Sequence, residues 1–202
     1  VKKLFKEADE TLKFSISRMI MEGPEKELQL TKNTQPAILT VSYSIFKVLK
    51  EEFNFDLNSI KFFAGHSLGE YSALVCSGSL NYRDALNLLH ERGKAMQDAV
   101  PVGKGSMIAV LGIEIENLIE LMKKEKEKKG VCEIANDNAK GQVIVSGDLN
   151  KINDLKTILK KEKIKFIPLK VRAPIHIALM QTATEIMREK IILGIDPGTT
   201  IM

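Results

Sequence analysis

A serine between two glycines is the stretch of the sequence that most clearly suggests chemistry. An apolar run at residues 60–64 is followed by Gly65-His66-Ser67-Leu68-Gly69 and then by apolar residues at helical spacing. Strand, sharp turn and helix in that order are the context of a nucleophile elbow. The pattern therefore predicts Ser67 as a nucleophile, against the alternative of a glycine-bearing turn with a bystander serine.

The residues that flank this serine have predicted roles of their own. A Cβ atom at Gly65 or Gly69 is expected to collide with the neighbouring strand or helix, because the chain passes itself at close range. Ser67 then lies at a helix N-terminus, where free backbone N–H groups and the helix dipole favour negative charge. We therefore expect the Leu68 N–H to form one half of an oxyanion hole.

Arg92 is the second residue whose position points to chemistry. It lies on a predicted helix from Tyr82 to Val100, four residues after Leu88 and four before Met96, and so shares the apolar face. A guanidinium on that face needs an anionic partner or a route to water. Two interpretations stay open from spacing alone. Arg92 binds an anionic ligand, or its long stem carries the charge to solvent or to a structural carboxylate.

Three histidines are candidates for the base that a nucleophilic serine needs. His176 lies in the first turn of a predicted helix that ends near Lys190, His66 lies inside the turn itself, and His90 is on the helix of Arg92. A lone histidine more often has a structural role than a catalytic one. Position alone therefore singles out none of the three.

Composition is that of a soluble globular protein. The 202 residues are 44% hydrophobic and 28% charged, and the net charge of +4 suits an acidic protein or a phosphate-bearing ligand. Apolar runs shorter than the ~18 residues of a membrane span, and sparse aromatic residues, argue against membrane and nucleic-acid partners. Cys76 and Cys132 are far apart and lack metal-ligand spacing. We expect a cytoplasmic protein, since the chain opens on no signal-like segment. We also expect it to be a monomer and to bind no metal.

Helical periodicity dominates the first hundred residues. It predicts one helix or two short ones over residues 1–18, a short helical piece at 25–28, and a helix that has Pro36 in its first turn and continues to Phe53. The last of these helices is expected to bury the apolar positions that recur every three or four residues. These are Ile38, Val41, Ile45, Val48 and Leu49.

A different pattern begins after Pro101. Predicted strands at 106–111, 131–135, 142–146 and 165–170 and predicted helices at 115–129 and 152–161 follow one another as βαββαβ. This is the ferredoxin-like order. We therefore predict an α/β fold in which a hydrolase-like, parallel-sheet main domain (residues 1–102 and 173–202) is interrupted by a ferredoxin-like subdomain (residues 103–172). Residues 136–141 are its predicted central turn, whose asparagines could hydrogen-bond a ligand.

Three motifs taken together resemble a known family. They are Gly65-His66-Ser67-Leu68-Gly69-Glu70-Tyr71, Arg92-Gly93-Lys94-x-Met96-Gln97 and Ala173-Pro174-Ile175-His176, with supporting matches at Thr34-Gln35-Pro36-Ala37, at 103–107 and at Asn136-x-Asn138-x-x-Gly141-Gln142-Val143. In order and spacing they are similar to those of the malonyl-CoA:acyl carrier protein transacylases of bacterial fatty-acid synthesis. The resemblance covers residues 1–189.

The resemblance implies a ping-pong transfer. Ser67 would take the malonyl group from coenzyme A, and His176 would be the base that later activates the phosphopantetheine thiol of acyl carrier protein. Arg92 would hold the free malonyl carboxylate in a bidentate pair and so select malonyl over acetyl groups. The other implied site residues are Leu68, for its oxyanion N–H, and the pocket residues Met96, Asn136 and Asn138. No cofactor is implied to be bound permanently; malonyl-CoA is a substrate, and the lysine excess suits an acidic carrier.

The sequence departs from this family at both ends. The family begins with a strand and a Gly-Gln-Gly-Ser-Gln turn that supplies the second oxyanion N–H, and it continues with a glutamine whose carbonyl orients the catalytic histidine. Neither is present, so the resemblance implies a truncated chain. Residues 191–200 are instead similar to the opening strand of Holliday-junction resolvases, but Asp196 lacks the further acidic residues of their metal site.

Two alternatives to malonyl transfer remain open at this point. A truncated or degenerate family member could keep the middle of the fold, with little or no transferase activity, and act at most as a binding module or have no function. A serine esterase or thioesterase could use the same elbow, although Arg92 on an apolar face disfavours a neutral ester as substrate.

Overall fold

A computed structural model describes residues 1–57, 60–99, 103–123, 130–169 and 177–194, with the backbone alone at 179 and 192–194. Internal contacts divide the chain into one unit of Val1–Ala95 with Glu185–Met202 and a second unit of Met96–Thr184. The sequence places the boundaries at 103 and 172 instead. No helix among the described residues is long and apolar enough to cross a membrane.

The first unit is helical in the part that the structure describes. Its helices are α1 (Lys2–Leu12), α2 (Ile16–Glu22), α3 (Glu25–Leu28), α4 (Thr31–Glu51), α5 (Gly69–Ser77), most of α6 (Tyr82–Ala99) and the end of α9 (Gln181–Gly194). Of the two possibilities left open for residues 1–18, one helix or two short ones, the structure has two, and the second continues to Glu22. Asp9 fixes the junction between α1 and α2, because its carboxylate accepts hydrogen bonds from the N–H (2.8 Å) and the hydroxyl (2.5 Å) of Ser17.

Helix α4 buries a different face from the predicted one. Among the positions predicted to be core, Ile38, Val41, Ile45 and Leu49 are exposed. The buried positions are mostly small or polar: Asn33, Gln35, Pro36, Ala37, Leu39, Thr40 and Ser44. The prediction was wrong because small side chains allow neighbouring helices to approach closely, and several of the polar side chains, though not that of Ser44, form hydrogen bonds there. The Thr40 hydroxyl, for example, accepts a hydrogen bond from Tyr82 at 3.0 Å.

Helix α4 also starts earlier than predicted, and contacts with helix α6 stabilise this earlier start. The helix begins at Thr31, so Pro36 lies inside it and cannot donate a hydrogen bond to the Lys32 carbonyl. The Nδ1 of His90, on α6, bonds to this carbonyl at 2.8 Å. A side chain at Gly93 would lie 2.4 Å from the Lys32 Cα, so α6 contacts the first turn of α4 at close range.

The second unit contains a four-stranded antiparallel sheet. Its strands are β1 (Gly105–Leu111), β2 (Cys132–Ala139), β3 (Gln142–Asp148) and β4 (Lys165–Pro168), in the spatial order β2-β3-β1-β4. Helix α7 (Ile115–Lys123) connects β1 to β2, and α8 (Leu149–Lys161) connects β3 to β4. Alternate residues of β1 and β3 pack against these helices. This core includes Ile108, Val110, Leu118, Val143, Val145, Ile152, Leu155 and Leu159.

Three local predictions differ from the structure. Most of the predicted turn at 136–141 is strand, because β2 continues to Ala139 through two register shifts that absorb extra residues. Residues 60–64 join no sheet in the described part of the chain, where the first unit offers no other strand to pair with. Helix α9 continues to Gly194, so residues 191–194 are not the predicted resolvase-like strand. Asp196 and the rest of 195–202 lie outside the described residues.

Acid should weaken the packing of α6 on α4. Burial lowers the pKa of His90 below its ordinary value of 6.5. As the pH falls through 6.5, the unfolded chain takes up a proton before the folded chain does, so the free energy of unfolding should fall. Above that pH the contribution is fully present.

This pH dependence can be measured by urea unfolding on either side of pH 6.5. His90→Asn is the matched variant, because its amide nitrogen occupies the place of Nδ1 and does not titrate. We expect a smaller loss of stability in acid for the variant than for the parent chain. Equal losses in both would contradict the assignment to His90.

Candidate active site

The turn at Ser67 has the strained geometry of a nucleophile elbow. Ser67 has a φ of 55°, which is uncommon for any residue other than glycine. A Cβ atom at Gly65 would lie 1.9 Å from the carbonyl oxygen of Gly69, so the predicted collision is confirmed there. At Gly69 itself a Cβ would meet no described atom within 4 Å, and that part of the prediction was wrong. Gly65 is thus the residue that permits the turn.

The backbone after the serine offers one donor to a developing negative charge. The N–H groups of Gly69, Glu70 and Tyr71 already donate to the carbonyls of the elbow, at 2.9, 3.1 and 3.1 Å. The Leu68 N–H has no acceptor among the described residues. It stands immediately before the first residue of α5, where the helix dipole favours an anion.

Arg92 reaches Ser67 from helix α6. Its Nη2 donates to the Ser67 Oγ at 3.2 Å, and its Nη1 donates to the Oε1 of Gln35 at 2.6 Å. The Tyr71 ring lies beside the guanidinium, with its centroid 6.0 Å from Cζ. Elements far apart in the sequence therefore meet around one half-buried cation.

The electrostatics of Arg92 are those of a cation without a counterion. Burial lowers its pKa, and Tyr71 and Glu70 oppose that change only through weaker, longer-range interactions. No carboxylate of the described residues forms a salt bridge with it. Of the interpretations left open by the sequence, pairing with a structural carboxylate therefore has no support in the described residues.

The remaining predicted site residues are distributed over the chain. Met96 is buried on α6, Asn136 is half-buried and Asn138 is exposed on β2, and all three belong to the second unit. His176 lies outside the described residues. His90 contacts the Phe14 ring in addition to the Lys32 carbonyl, which is a structural environment. The pocket roles of Met96 and the two asparagines stay predictions.

Two contacts of the site were not predicted from the sequence. Gln35 belongs to a motif that supports the family resemblance, but nothing in its spacing identifies a partner 57 positions further along the chain. Tyr71 ends the motif around the serine and follows Ser67 by one helical turn, but neither feature identifies Arg92 as its partner. Among the described residues, no three His, Cys, Asp or Glu side chains are grouped so that they could hold a metal ion.

Comparison with known proteins gives a consistent result. A family profile for the acyl transferase domain matches residues 2–201. The malonyl CoA-acyl carrier protein transacylase of Bacillus subtilis (strain 168) is 42% identical over 189 residues, which are 93% of this chain and 58% of that protein. The acyl-carrier-protein-S-malonyltransferase of Bartonella henselae matches with a TM-score of 0.90 at 38% identity, over 96% of this chain and 62% of that one.

A third similar protein was solved with a partner. A structure of a type II PKS acyl-carrier protein in complex with its malonyl-transacylase matches with a TM-score of 0.89 at 34% identity, over 96% of this chain and 62% of that one. This chain thus spans about three-fifths of the length of the relatives it matches. The profile also includes residues 191–200, although their sequence predicts a departure from the family. The α/β fold class and the predicted resemblance to malonyl-CoA:acyl carrier protein transacylases are confirmed, and the chain belongs to the acyl transferase domain family.

Proposed function

We propose that this chain carries the Ser67 site of a malonyl-CoA:acyl carrier protein transacylase. Ser67 Oγ attacks the thioester carbonyl of malonyl-CoA, the coenzyme A thiolate leaves, and a malonyl ester of the serine remains. The phosphopantetheine thiol of acyl carrier protein then attacks the ester and restores the serine. The observation that carries this proposal is the 3.2 Å contact between Arg92 Nη2 and Ser67 Oγ, made by a guanidinium with no carboxylate partner in the described residues.

The position of the guanidinium suits a short dicarboxylic acyl group. In a malonyl group a single methylene separates the carbonyl carbon from the free carboxylate. A cation one hydrogen bond away from Oγ is therefore within reach of that carboxylate once the ester has formed. Charge-assisted bonds of this kind contribute ~1.5–3 kcal/mol each. A neutral acyl group would leave Arg92 buried without an anion, which disfavours the esterase alternative.

The other functional groups follow from the family resemblance. His176 takes the proton from Ser67 and gives it to the departing coenzyme A thiolate; it later takes the proton of the incoming thiol and returns it to Ser67. The Leu68 N–H stabilises the oxyanion. Met96, Asn136 and Asn138 line the acyl pocket. The protein is a cytoplasmic monomer in this proposal, which suits its two free thiols, Cys76 and Cys132.

The proposed partner is an acidic acyl carrier protein. The relatives are named for this carrier, and one of them was solved bound to an acyl-carrier protein. The net charge of +4 favours encounter with an acidic protein and steers it over distances of about a Debye length.

Incubation with radiolabelled malonyl-CoA should place the label on Ser67. The ester is covalent, so it survives denaturation, and mass spectrometry of the digested protein locates it. Ser67→Ala is the control and should remain unlabelled. If the folded parent chain takes up no label, malonyl transfer is wrong and the binding-module alternative stands. Faster cleavage of a neutral ester than of malonyl-CoA would favour the hydrolase alternative.

Replacing Arg92 should remove the preference for malonyl groups. Arg92→Ala is expected to lower kcat/KM for malonyl-CoA by about 100-fold, because it deletes at least one charge-assisted bond in a partly dry site. Transfer from acetyl-CoA should change far less. Arg92→Lys keeps the charge without the planar fork, and its kcat/KM for malonyl-CoA should lie between those of the parent chain and Arg92→Ala. The measurement is acyl-enzyme formation with each thioester, and equal losses for both would contradict the carboxylate contact.

A further inference from the structure

Gln35 contacts Arg92 on the side away from the nucleophile. Its side chain is 3% exposed, and its Oε1 accepts a 2.6 Å hydrogen bond from Arg92 Nη1, while Arg92 Nη2 bonds to Ser67 Oγ. We propose that Gln35 is a positioning residue that determines specificity: it fixes the Arg92 guanidinium through a neutral acceptor and so leaves the positive charge available to an acyl carboxylate. This inference rests on the proposed function of Ser67 and Arg92.

The neutrality of the acceptor is the central point. A carboxylate in the place of the Gln35 amide would form an ion pair with Arg92 and would offset its charge, so that an incoming carboxylate would meet a pair with no net charge. The amide oxygen accepts the same hydrogen bond without adding charge. Arginine has five N–H donors, and the described residues use two of them, so donors remain for a bidentate contact with a ligand.

Packing around Gln35 fixes the distance between the two side chains. The first turn of α4 is anchored by Asn33, whose Nδ2 donates to the Glu27 carbonyl at 2.9 Å, and by Thr34, whose hydroxyl donates to the Leu28 carbonyl at 2.5 Å. On the α6 side, His90 bonds to the Lys32 carbonyl. The α6 residues that contact the first turn of α4 are His90 and Gly93, which lie two positions before Arg92 and one position after it.

The close approach at Gly93 completes this arrangement. Because a Cβ there would lie 2.4 Å from the Lys32 Cα, only glycine allows the two helix backbones to approach this closely. Arg92 is thus held by contacts of His90 and Gly93, on either side of it in the sequence, and Gln35 by contacts of the three residues that precede it. A side chain held in this way loses little entropy when the ligand binds, which is how positioning residues support a site.

The test compares two substitutions of Gln35 with two thioesters. Gln35→Glu keeps size and shape but adds a charge, and it should lower kcat/KM for malonyl-CoA by about 100-fold, mainly through KM, while acetyl-CoA is transferred nearly as before. Gln35→Met keeps volume but removes the acceptor, and it should lower the malonyl value by about tenfold. The exposed Gln29, changed to Glu, is the matched control for an added charge and should leave the malonyl-to-acetyl ratio unchanged.

A binding measurement separates this inference from the reaction itself. Calorimetric titration of malonyl-CoA and acetyl-CoA into Ser67→Ala, with and without Gln35→Glu, reports the preference for the carboxylate without turnover. The preference for malonyl-CoA over acetyl-CoA should disappear when Gln35→Glu is added. The Tm of each variant, compared with that of the parent chain, tests whether the fold is kept.

The outcomes are distinguishable. If both Gln35 variants lower malonyl and acetyl transfer equally, or keep the parent's ratio, the inference is wrong while the malonyl ester on Ser67 still supports the proposed function. If the parent chain binds malonyl-CoA no better than acetyl-CoA and forms no malonyl ester, the proposed function and this inference are both overturned.

Discussion

The constraint on which the site depends is a half-buried guanidinium that the described residues leave without a counterion. Removing a cation from water is costly unless hydrogen bonds and opposite charge replace the lost hydration. Around Arg92 the chain supplies a neutral amide, a hydroxyl and an aromatic face, from Gln35, Ser67 and Tyr71. These groups accept hydrogen bonds or stabilise the cation without neutralising it. The remaining electrostatic deficit lies beside Ser67, and it is the physical basis on which we propose an anion-binding site there.

The same constraint accounts for the unusual buried face of α4. Gln35 can reach Arg92 only if α4 and α6 approach closely, and that approach requires glycine at position 93 and small side chains such as Ala37 and Thr40. Several large apolar residues of α4 are consequently on its other side, where Ile38 and Ile45 are 44% and 57% exposed. Hydrophobic periodicity identifies the apolar face of a helix. It does not identify what covers that face, and for this reason the prediction failed at α4.

Sequence patterns predicted what local sterics and periodicity determine. The elbow follows from Gly65, because a side chain there would collide with the next turn, and the βαββαβ order follows from the alternation that places Ile108 and Val110 on one face of β1. The same patterns do not predict contacts between residues that are far apart in the sequence. The hydrogen bond from His90 that allows Pro36 to lie within α4 joins residues 58 positions apart, so a rule about proline in the first turn could not anticipate it. The bulges that turn the Asn136–Asn138 segment into strand likewise depend on pairing with β3.

Glu91, the residue before Arg92, shows why the nearest carboxylate in the sequence does not neutralise the guanidinium. Glu91 is the carboxylate nearest to Arg92 in sequence, yet consecutive residues of a helix point in directions about 100° apart. Its oxygens bind Lys190 and Lys94, each at 2.8 Å, and these hydrogen bonds lower the pKa of Glu91 to about 2. Glu91 is therefore ionised and paired with both lysines at neutral pH. Because α9 and the next turn of α6 satisfy this carboxylate, it does not compete for the guanidinium, and the positive charge beside Ser67 remains available to the carboxylate of the proposed substrate.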